Sequence, residues 1–261
     1  MSPSHPLDAP LPRAALPGAA LPGTARSGAA LPGAPVIARL RQVGVDIDGH
    51  AALRGVDLDA RAGRVLAVVG ANGSGKSTAL SVMAGLTAPT AGSAWRAPGT
   101  AVALVPQHTT TGERLPLNVE GVVAMGRWRQ RGFWRPLRRV DREAIASAIA
   151  AVGLTALARR RIGELSGGQR RRAFLAQALA QQATLVLLDE PMTGLDDAAR
   201  ADAAAAISAL TAAGAAVVVV THDLAELGRV DAVATLADGR LGAISGPPDC
   251  TPAPPRASVA W

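Results

Sequence analysis

Tyrosine is absent from the 261-residue chain, and phenylalanine and tryptophan bring the aromatic share to only 2%. A surface built to stack nucleic-acid bases needs rings in number, so such a surface is not expected here. A single cysteine, Cys250, excludes an internal disulfide framework. The histidines His5, His50, His108 and His222 are scattered, without the close spacing that a zinc site requires. No apolar run approaches the roughly 18 residues of a spanning helix, so the chain is not expected to cross a bilayer by itself. Lysine is the last scarcity. Of 27 basic residues only Lys76 is lysine, and a composition that keeps lysine at one place marks that place for reading.

What is present suits a folded domain. Hydrophobic residues make up 49% of the chain and charged residues 18%, enough for a sizeable core. The net charge of +7 is open to two readings: an arginine-rich composition, or a polyanionic partner such as a nucleotide, a nucleic acid or a lipid surface. Residues 1–34 hold three copies of Ala-Ala-Leu-Pro-Gly, at Ala14–Gly18, Ala19–Gly23 and Ala29–Gly33, and read as an unstructured extension. The tail 246–261, with Pro247, Pro248, Pro252, Pro254 and Pro255, reads the same way. One domain is expected between them, over 35–245.

Within it, short β-branched runs predict strands at Val36–Val43, Leu53–Ala60, Arg64–Val69, Ala101–Val105, Thr184–Leu188 and Ala215–Val220. Arg64–Val69 and the last three are apolar almost throughout, the mark of central parallel strands covered on both faces. Asn118 is placed to cap a helix running to Gly126, and Asp141 to cap one ended by Gly153. From His108 to about Glu164 only helical signals occur, so this stretch reads as a helical insertion between core strands. Asp238-Gly239 marks a late hairpin. Strands alternating with helices predict an α/β fold around a parallel sheet.

Three motifs bear on chemistry. Gly70, Ala71, Asn72, Gly73, Ser74, Gly75, Lys76 and Ser77 fit G-x-x-x-x-G-K-[ST], after an apolar strand and before a helical pattern. Glycines let backbone N–H groups wrap a phosphate, the helix N-terminus adds positive potential, and Lys76 neutralises the outer oxygens. The Ser77 hydroxyl can face Mg²⁺. Next, Thr184–Leu188 ends in Asp189 and Glu190, at the end of a strand where open α/β sheets bind ligands. Asp189 can hold magnesium and Glu190 can polarise an attacking water; alone, such carboxylates often do no more than cap a helix. Last, Ser166, Gly167, Gly168 and Gln169 open an amphipathic helix bearing Phe174, Leu175 and Leu179, with Ser166 as its N-cap and the first N–H groups open to an anion.

Ser-Gly-Gly-Gln lying between a phosphate loop and an Asp-Glu strand resembles the signature of the ABC-type ATPases. The resemblance spans Val36 to about Ser245 and implies a P-loop NTPase (RecA-like) parallel sheet core, an N-terminal antiparallel β subdomain and a helical insertion over about 108–180. It implies ATP and Mg²⁺ as ligands and ATP hydrolysis as the activity. Phosphate contacts would come from Gly70 through Lys76, Ser77 and Thr78, and Mg²⁺ contacts from Ser77, Gln107 and Asp189. Glu190, His222 as the switch histidine and Gln107 as the Q-loop glutamine would be the catalytic set. Ser166, Gly167, Gly168, Gln169 and Asp196 would face nucleotide across a homodimer. The position where this family stacks an aromatic on adenine falls on Ile47, so base recognition here would rest on apolar packing. The resemblance further implies a separate transmembrane permease, an extracytoplasmic metal-binding protein, and a peripheral place on the cytoplasmic face of the plasma membrane.

Val122–Trp128, Gly132–Arg135 and Asp141-Arg142 resemble the zinc and manganese branch of metal-uptake ABC ATPases, with overlap toward siderophore and cobalamin ATPases. The run Arg127, Arg129, Arg131, Arg135, Arg138, Arg139 and Arg142, interleaved with Trp128, Phe133 and Trp134, leaves three readings open. These are a solvated surface, docking to a permease or anionic headgroups, and nucleic-acid binding. A soluble ABC ATPase acting on DNA or ribosomes is the rival function. Sustained heptads or a doubled motif set would favour it, and the chain has neither, so no nucleic-acid partner is expected.

Overall fold

The computed structural model describes residues 33–107, 116–128 and 136–246. The three-repeat extension to residue 32, the tail from 247, His108, and the basic and aromatic residues at 129–135 lie outside the described residues.

Two sheets meet across one core. The first holds β1 (Val36–Ile47), β2 (His50–Arg61) and β4 (Ala91–Arg96) in the antiparallel order β2-β1-β4. β1 and β2 are joined by Asp48-Gly49, both at positive φ (49° and 79°), the two-residue turn whose twist matches its strands. The predicted end of β1 at Val43 falls short because the register shifts there. Gln42 stands at φ 48°, and buried positions pass from Ala38 and Leu40 to Val43 and Val45, so the alternation skips a beat. The Asp57 carboxylate accepts from the Gln42 backbone N–H at 3.0 Å and pins the irregularity. β4 was not foreseen. Its residues are all exposed, it lacks a β-branched run, and it is held by pairing to β1.

The second sheet has the order β5-β6-β7-β3-β8-β9, from β3 (Val65–Val69), β5 (Val102–Val105), β6 (Leu185–Asp189), β7 (Ala216–Val220), β8 (Ala232–Ala237) and β9 (Arg240–Ser245). The first five run parallel, and β9 folds back through Asp238-Gly239 as expected. Side chains alternate between two cores. Val65, Ala67, Val186, Leu188, Val217 and Val219 face the helices of the insertion, while Leu66, Val68, Leu185, Leu187 and Val218 face the antiparallel sheet. Full burial of each such Leu or Val is worth about 1.5–3 kcal/mol, which is why these runs carry no polar face.

One placement corrects the sequence reading. The apolar run Ala101–Val105 was expected to be central, yet β5 is an edge strand paired only with β6. Its apolar residues are covered by helices instead: Ala103 and Val105 join the helical core, and the Gln181 amide donates to Val102 O at 2.9 Å.

Among the described residues the α-helices are α1 (Lys76–Ala84), α2 (Val119–Met125), α3 (Arg139–Ala151), α4 (Gly167–Gln181) and α5 (Asp197–Ala212). Asn118 caps α2 as predicted, accepting from Gly121 N at 2.8 Å. Asp141 does not cap α3. The helix starts earlier, with Arg138 at the N-cap, and Asp141 lies in its first turn and accepts from Arg138 N at 2.9 Å. Its other oxygen binds Arg127, so Arg127 is buried in an ion pair and leaves the proposed basic docking run. Arg138, Arg139 and Arg142 remain on the surface. Among the described residues no helix is long and apolar enough to cross a membrane.

Candidate functional site

The parallel strands deliver their carboxyl ends to one edge. β3 runs into the Gly70–Ser77 loop, β6 into Asp189 and Glu190, and β7, between them, into Thr221 and His222. Two backbone bonds stitch this edge: Glu190 N donates to Val220 O at 2.9 Å and Thr221 N to Val68 O at 3.2 Å.

The loop is a tight cradle. Lys76 is 7% exposed, and its Nζ donates to Gly70 O at 2.9 Å and Ala71 O at 2.8 Å, so its charge is held inside the turn. Gly75 stands at φ 98°, and a Cβ there would lie 2.5 Å from the Ala52 carbonyl oxygen of β2. The hairpin tip Gly239 clamps the same point, receiving Arg54 N on its carbonyl at 2.7 Å and donating to Ser74 O at 3.1 Å. Ser74 Oγ is buried without a hydrogen-bond partner among the described residues. Ser77 is exposed and Thr78 half-buried on the first turn of α1, and Ala71, Asn72 and Gly73 are exposed at the loop's crest. A glycine-rich turn before a helix N-terminus, closed around a buried lysine, is the arrangement that phosphate binding uses, so these residues fit ATP.

Beside it lies the carboxylate pair. Asp189 and Glu190 are half-buried. Glu190 has φ 47°, a left-handed conformation that costs a non-glycine residue about 1–2 kcal/mol. Its Oε2 accepts from Gln107 Nε2 at 2.6 Å and Thr193 Oγ1 at 3.1 Å, whereas Oε1 accepts from no described residue. Gln107 and Glu190 are therefore brought together. The Ser77 hydroxyl, the Asp189 carboxylate and the Gln107 amide oxygen are oxygen donors of the kind that suit Mg²⁺. His222 is exposed after β7, on a turn held by Thr221 Oγ1, which accepts from Asp223 N at 3.0 Å.

The Ser166–Gln169 turn stands apart. Ser166 caps α4, accepting from Gln169 N at 3.2 Å, and Gln169 Oε1 accepts from Ser166 N at 3.0 Å. Both halves of this capping box are satisfied locally, and among the described residues no hydrogen bond joins the turn to the Gly70–Ser77 loop. Gly168 lies where a Cβ would fall 2.6 Å from Leu195 Cδ2, and Gly167 is exposed. Asp196 caps α5, accepting from Ala199 N at 2.8 Å. Ile47 is 47% exposed at the tip of the first hairpin, free to offer an apolar face.

Sequence reasoning missed Arg171 and Thr193. Arg171 Nη2 donates to Gln107 O at 3.1 Å and its Nη1 to Thr193 O. Burial pushes the Arg171 guanidinium below its ordinary value, and the Glu190 carboxylate pulls it partly back. Arg172 turns inward as well, donating to Val152 O at 3.1 Å and Asp202 Oδ2 at 2.6 Å, so no pattern within the run Arg170–Arg172 singles out Arg171.

Comparison with known proteins gives a consistent set of likenesses. A family model described as ABC transporter matches residues 53–193. The chelated iron transport system membrane protein YfeB of Yersinia pestis is 40% identical over 185 residues, covering 68% of this chain and 62% of its own length. The zinc import ATP-binding protein ZnuC of Chelativorans sp. is 36% identical over 190 residues, 72% of this chain and 63% of that one. The hemin import ATP-binding protein HmuV of Streptomyces coelicolor is 40% identical over 227 residues, 82% and 79% respectively. The chain thus spans somewhat less than two thirds of YfeB and ZnuC. Among solved structures, a transporter assigned to the metal-chelate ABC type, inward-facing, superposes with a TM-score of 0.70 at 27% identity, covering 81% of this chain and 83% of its own. The dimeric cassette MJ0796 shares the fold at a TM-score of 0.70 and 24% identity, covering 80% and 98%.

Proposed function

Because the chain belongs to the ABC transporter family, as one of its ATP-binding and ATP-hydrolysing cassettes, we propose that it drives import of a transition metal, as ion or chelate, through a separate membrane-spanning permease. One observation carries the enzymatic half of this reading. The phosphate cradle and the Asp189-Glu190 pair share one sheet edge, with Gln107 Nε2 on Glu190 Oε2 at 2.6 Å.

In this reading the loop amides and Lys76 bind the β- and γ-phosphates, with Lys76 leaving the Gly70 and Ala71 carbonyls for phosphate oxygens. Ser77, Asp189 and Gln107 hold Mg²⁺, which when bound neutralises charge on the transferred phosphoryl group. Glu190 orients the attacking water and takes its proton on Oε1, the oxygen left open, while Gln107 and Thr193 fix Oε2. His222 meets the γ-phosphate from the end of β7. The capped turn at Ser166, Gly167, Gly168 and Gln169, with the Asp196 segment, completes the site of a second copy, which accounts for an anion-receptive helix end unconnected to its own phosphate loop.

The test is Glu190→Gln. Turnover should fall by at least about a hundredfold, in the range seen for a positioned general base, while the ATP-dependent dimer persists in size-exclusion chromatography. Near wild-type hydrolysis by this variant would remove Glu190 from the role.

Two observations bear on the cargo. The Val122–Trp128 and Asp141-Arg142 stretches support a zinc or manganese ion, whereas the match to HmuV, longer and no less identical than the others, supports a metal chelate. Growth of a deletion strain under separate zinc, manganese, iron and hemin limitation distinguishes them. A defect confined to zinc or manganese supports the ion, and one confined to hemin or chelated iron supports the chelate. The permease contact is expected at the cytoplasmic face, through the insertion that follows Gln107.

A further inference from the structure

Arg171 has no part in the roles assigned above, yet it touches the two residues that hold Glu190. The Gln107 and Thr193 side chains both bond Glu190 Oε2, at 2.6 Å and 3.1 Å. The Arg171 guanidinium donates to the main-chain carbonyls of the same two residues, with Nη2 on Gln107 O at 3.1 Å and Nη1 on Thr193 O. One planar fork therefore spans two segments that are distant in sequence and grips both of them behind the carboxylate. The base of the fork is fixed as well, because Arg171 stands on the first turns of α4, the helix capped by Ser166.

We propose that Arg171 is a positioning residue for ATP hydrolysis. It fixes the Gln107 and Thr193 backbones so that their side chains present Glu190 in its left-handed conformation, and it ties that geometry to the helix that follows the Ser-Gly-Gly-Gln turn. A lysine would hold the two carbonyls less firmly, since a guanidinium offers donors spread in a fixed plane and an ammonium offers donors around a single point. The same helix start touches this segment a second time, where Gly168 meets Leu195. Displacement of the Ser166 turn, as when a second nucleotide engages it, thus reaches Glu190 through a rigid side chain. The inference rests on Glu190 serving as the base proposed above.

The experiment compares wild type, Arg171→Ala, Arg171→Lys and Glu190→Gln as full-length chains, by steady-state ATPase kinetics, ATP-driven dimer formation and thermal melting. A misplacement of about 1 Å at a reacting group costs on the order of a hundredfold. The expected result is a kcat for Arg171→Ala lowered by roughly 10- to 100-fold. KM for ATP should stay within about threefold, since the phosphate cradle is untouched. Arg171→Lys should recover part of kcat but not all. In the double variant with Glu190→Gln, the ATP-dependent dimer should still form. A kcat for Arg171→Ala near that of wild type overturns the proposal. So does a loss of activity that matches the fraction of unfolded protein, or full recovery by lysine, which would assign a structural charge. Should the alanine variant not fold, the lysine variant decides by the same criterion. Glu190→Gln separates the two readings. If it remains active, the base assignment fails; if it is inactive while Arg171→Ala is fully active, only the positioning role fails.

Discussion

Replacing Arg127 with methionine should be among the most damaging single changes in the helical insertion. Arg127 and Asp141 are 7% and 1% exposed. Arg127 Nε lies 3.0 Å and Nη2 2.9 Å from Asp141 Oδ1, and Nη1 donates to Ala180 O at 2.9 Å. The other Asp141 oxygen accepts from Arg138 N. This cluster joins the end of α2, the start of α3 and the end of α4. Methionine fills much of the volume but takes the ion pair from a buried carboxylate and the Arg127 donor from the Ala180 carbonyl. Breaking one side of such a pair costs about 3–5 kcal/mol. For a domain of this size each kcal/mol shifts the melting midpoint by about 2–4 °C, so the expected drop is roughly 6–20 °C. Arg127→Met with Asp141→Leu should recover most of the loss, because a well-packed apolar pair can match a buried ion pair. Circular dichroism melts of both single variants and the double variant form the cycle that measures the coupling. A loss under about 1 kcal/mol for Arg127→Met, or a double variant no better than either single one, would refute the reasoning.

Two further outcomes follow from the site and the sheet. With Ile47 half-exposed and no ring to stack on a base, wild type should discriminate ATP from GTP by less than about a hundredfold, or about 2.8 kcal/mol. Ile47→Phe should tighten both nucleotides by roughly 1–3 kcal/mol; equilibrium titration checks both statements, and a strong wild-type purine preference would contradict them. Burial alone would raise the Asp231 carboxyl, but the Val65 N–H and the Arg229 and Arg64 side chains hold it below the ordinary carboxylate range. A depressed folded-state pKa stabilises above the unfolded value of about 3.9, and that stability is lost as pH falls through the folded value. Below about pH 4 the wild-type melting midpoint should therefore fall toward that of Asp231→Asn. Parallel curves to about pH 2 would exclude this linkage.

The sequence announced those parts of the molecule whose chemistry forbids substitutes. Lys76 in its glycine loop, Asp189-Glu190 after four buried residues and Ser166 before two glycines each leave a local signature, and all three fall where the pattern placed them. The strands β3, β6 and β7 were readable because burial on both faces removes every polar residue. Other features depend on partners far along the chain. β4 exists by pairing with β1, and β5 is apolar because helices cover an edge. Asp141 looked like a cap because its tie to Arg127 spans a segment that no window of local pattern crosses. Arg171 was hidden by its equally basic neighbours Arg170 and Arg172.

The division between rigid and adjustable parts follows from strand order. β3 lies between β7 and β8, and its loop is clamped again by Gly239 and by the approach of Ala52 to Gly75, so the phosphate cradle is locked from three sides. β5 has a neighbour on one side alone, and Gln107 follows two residues after its end at Val105. The glutamine that bonds Glu190 thus follows the less constrained member of the sheet, and Lys76 follows one of its most constrained. A displacement applied to the insertion is therefore expected to reach Gln107 before it reaches Lys76. Under the proposed function, nucleotide binding would then persist while the presentation of Glu190 changes, the separation of affinity from turnover that coupling to transport would need. The Arg171 fork limits how far Gln107 travels before Thr193 and Glu190 must follow. Severing that fork should therefore loosen the link between the insertion and the base while sparing the hold on ATP.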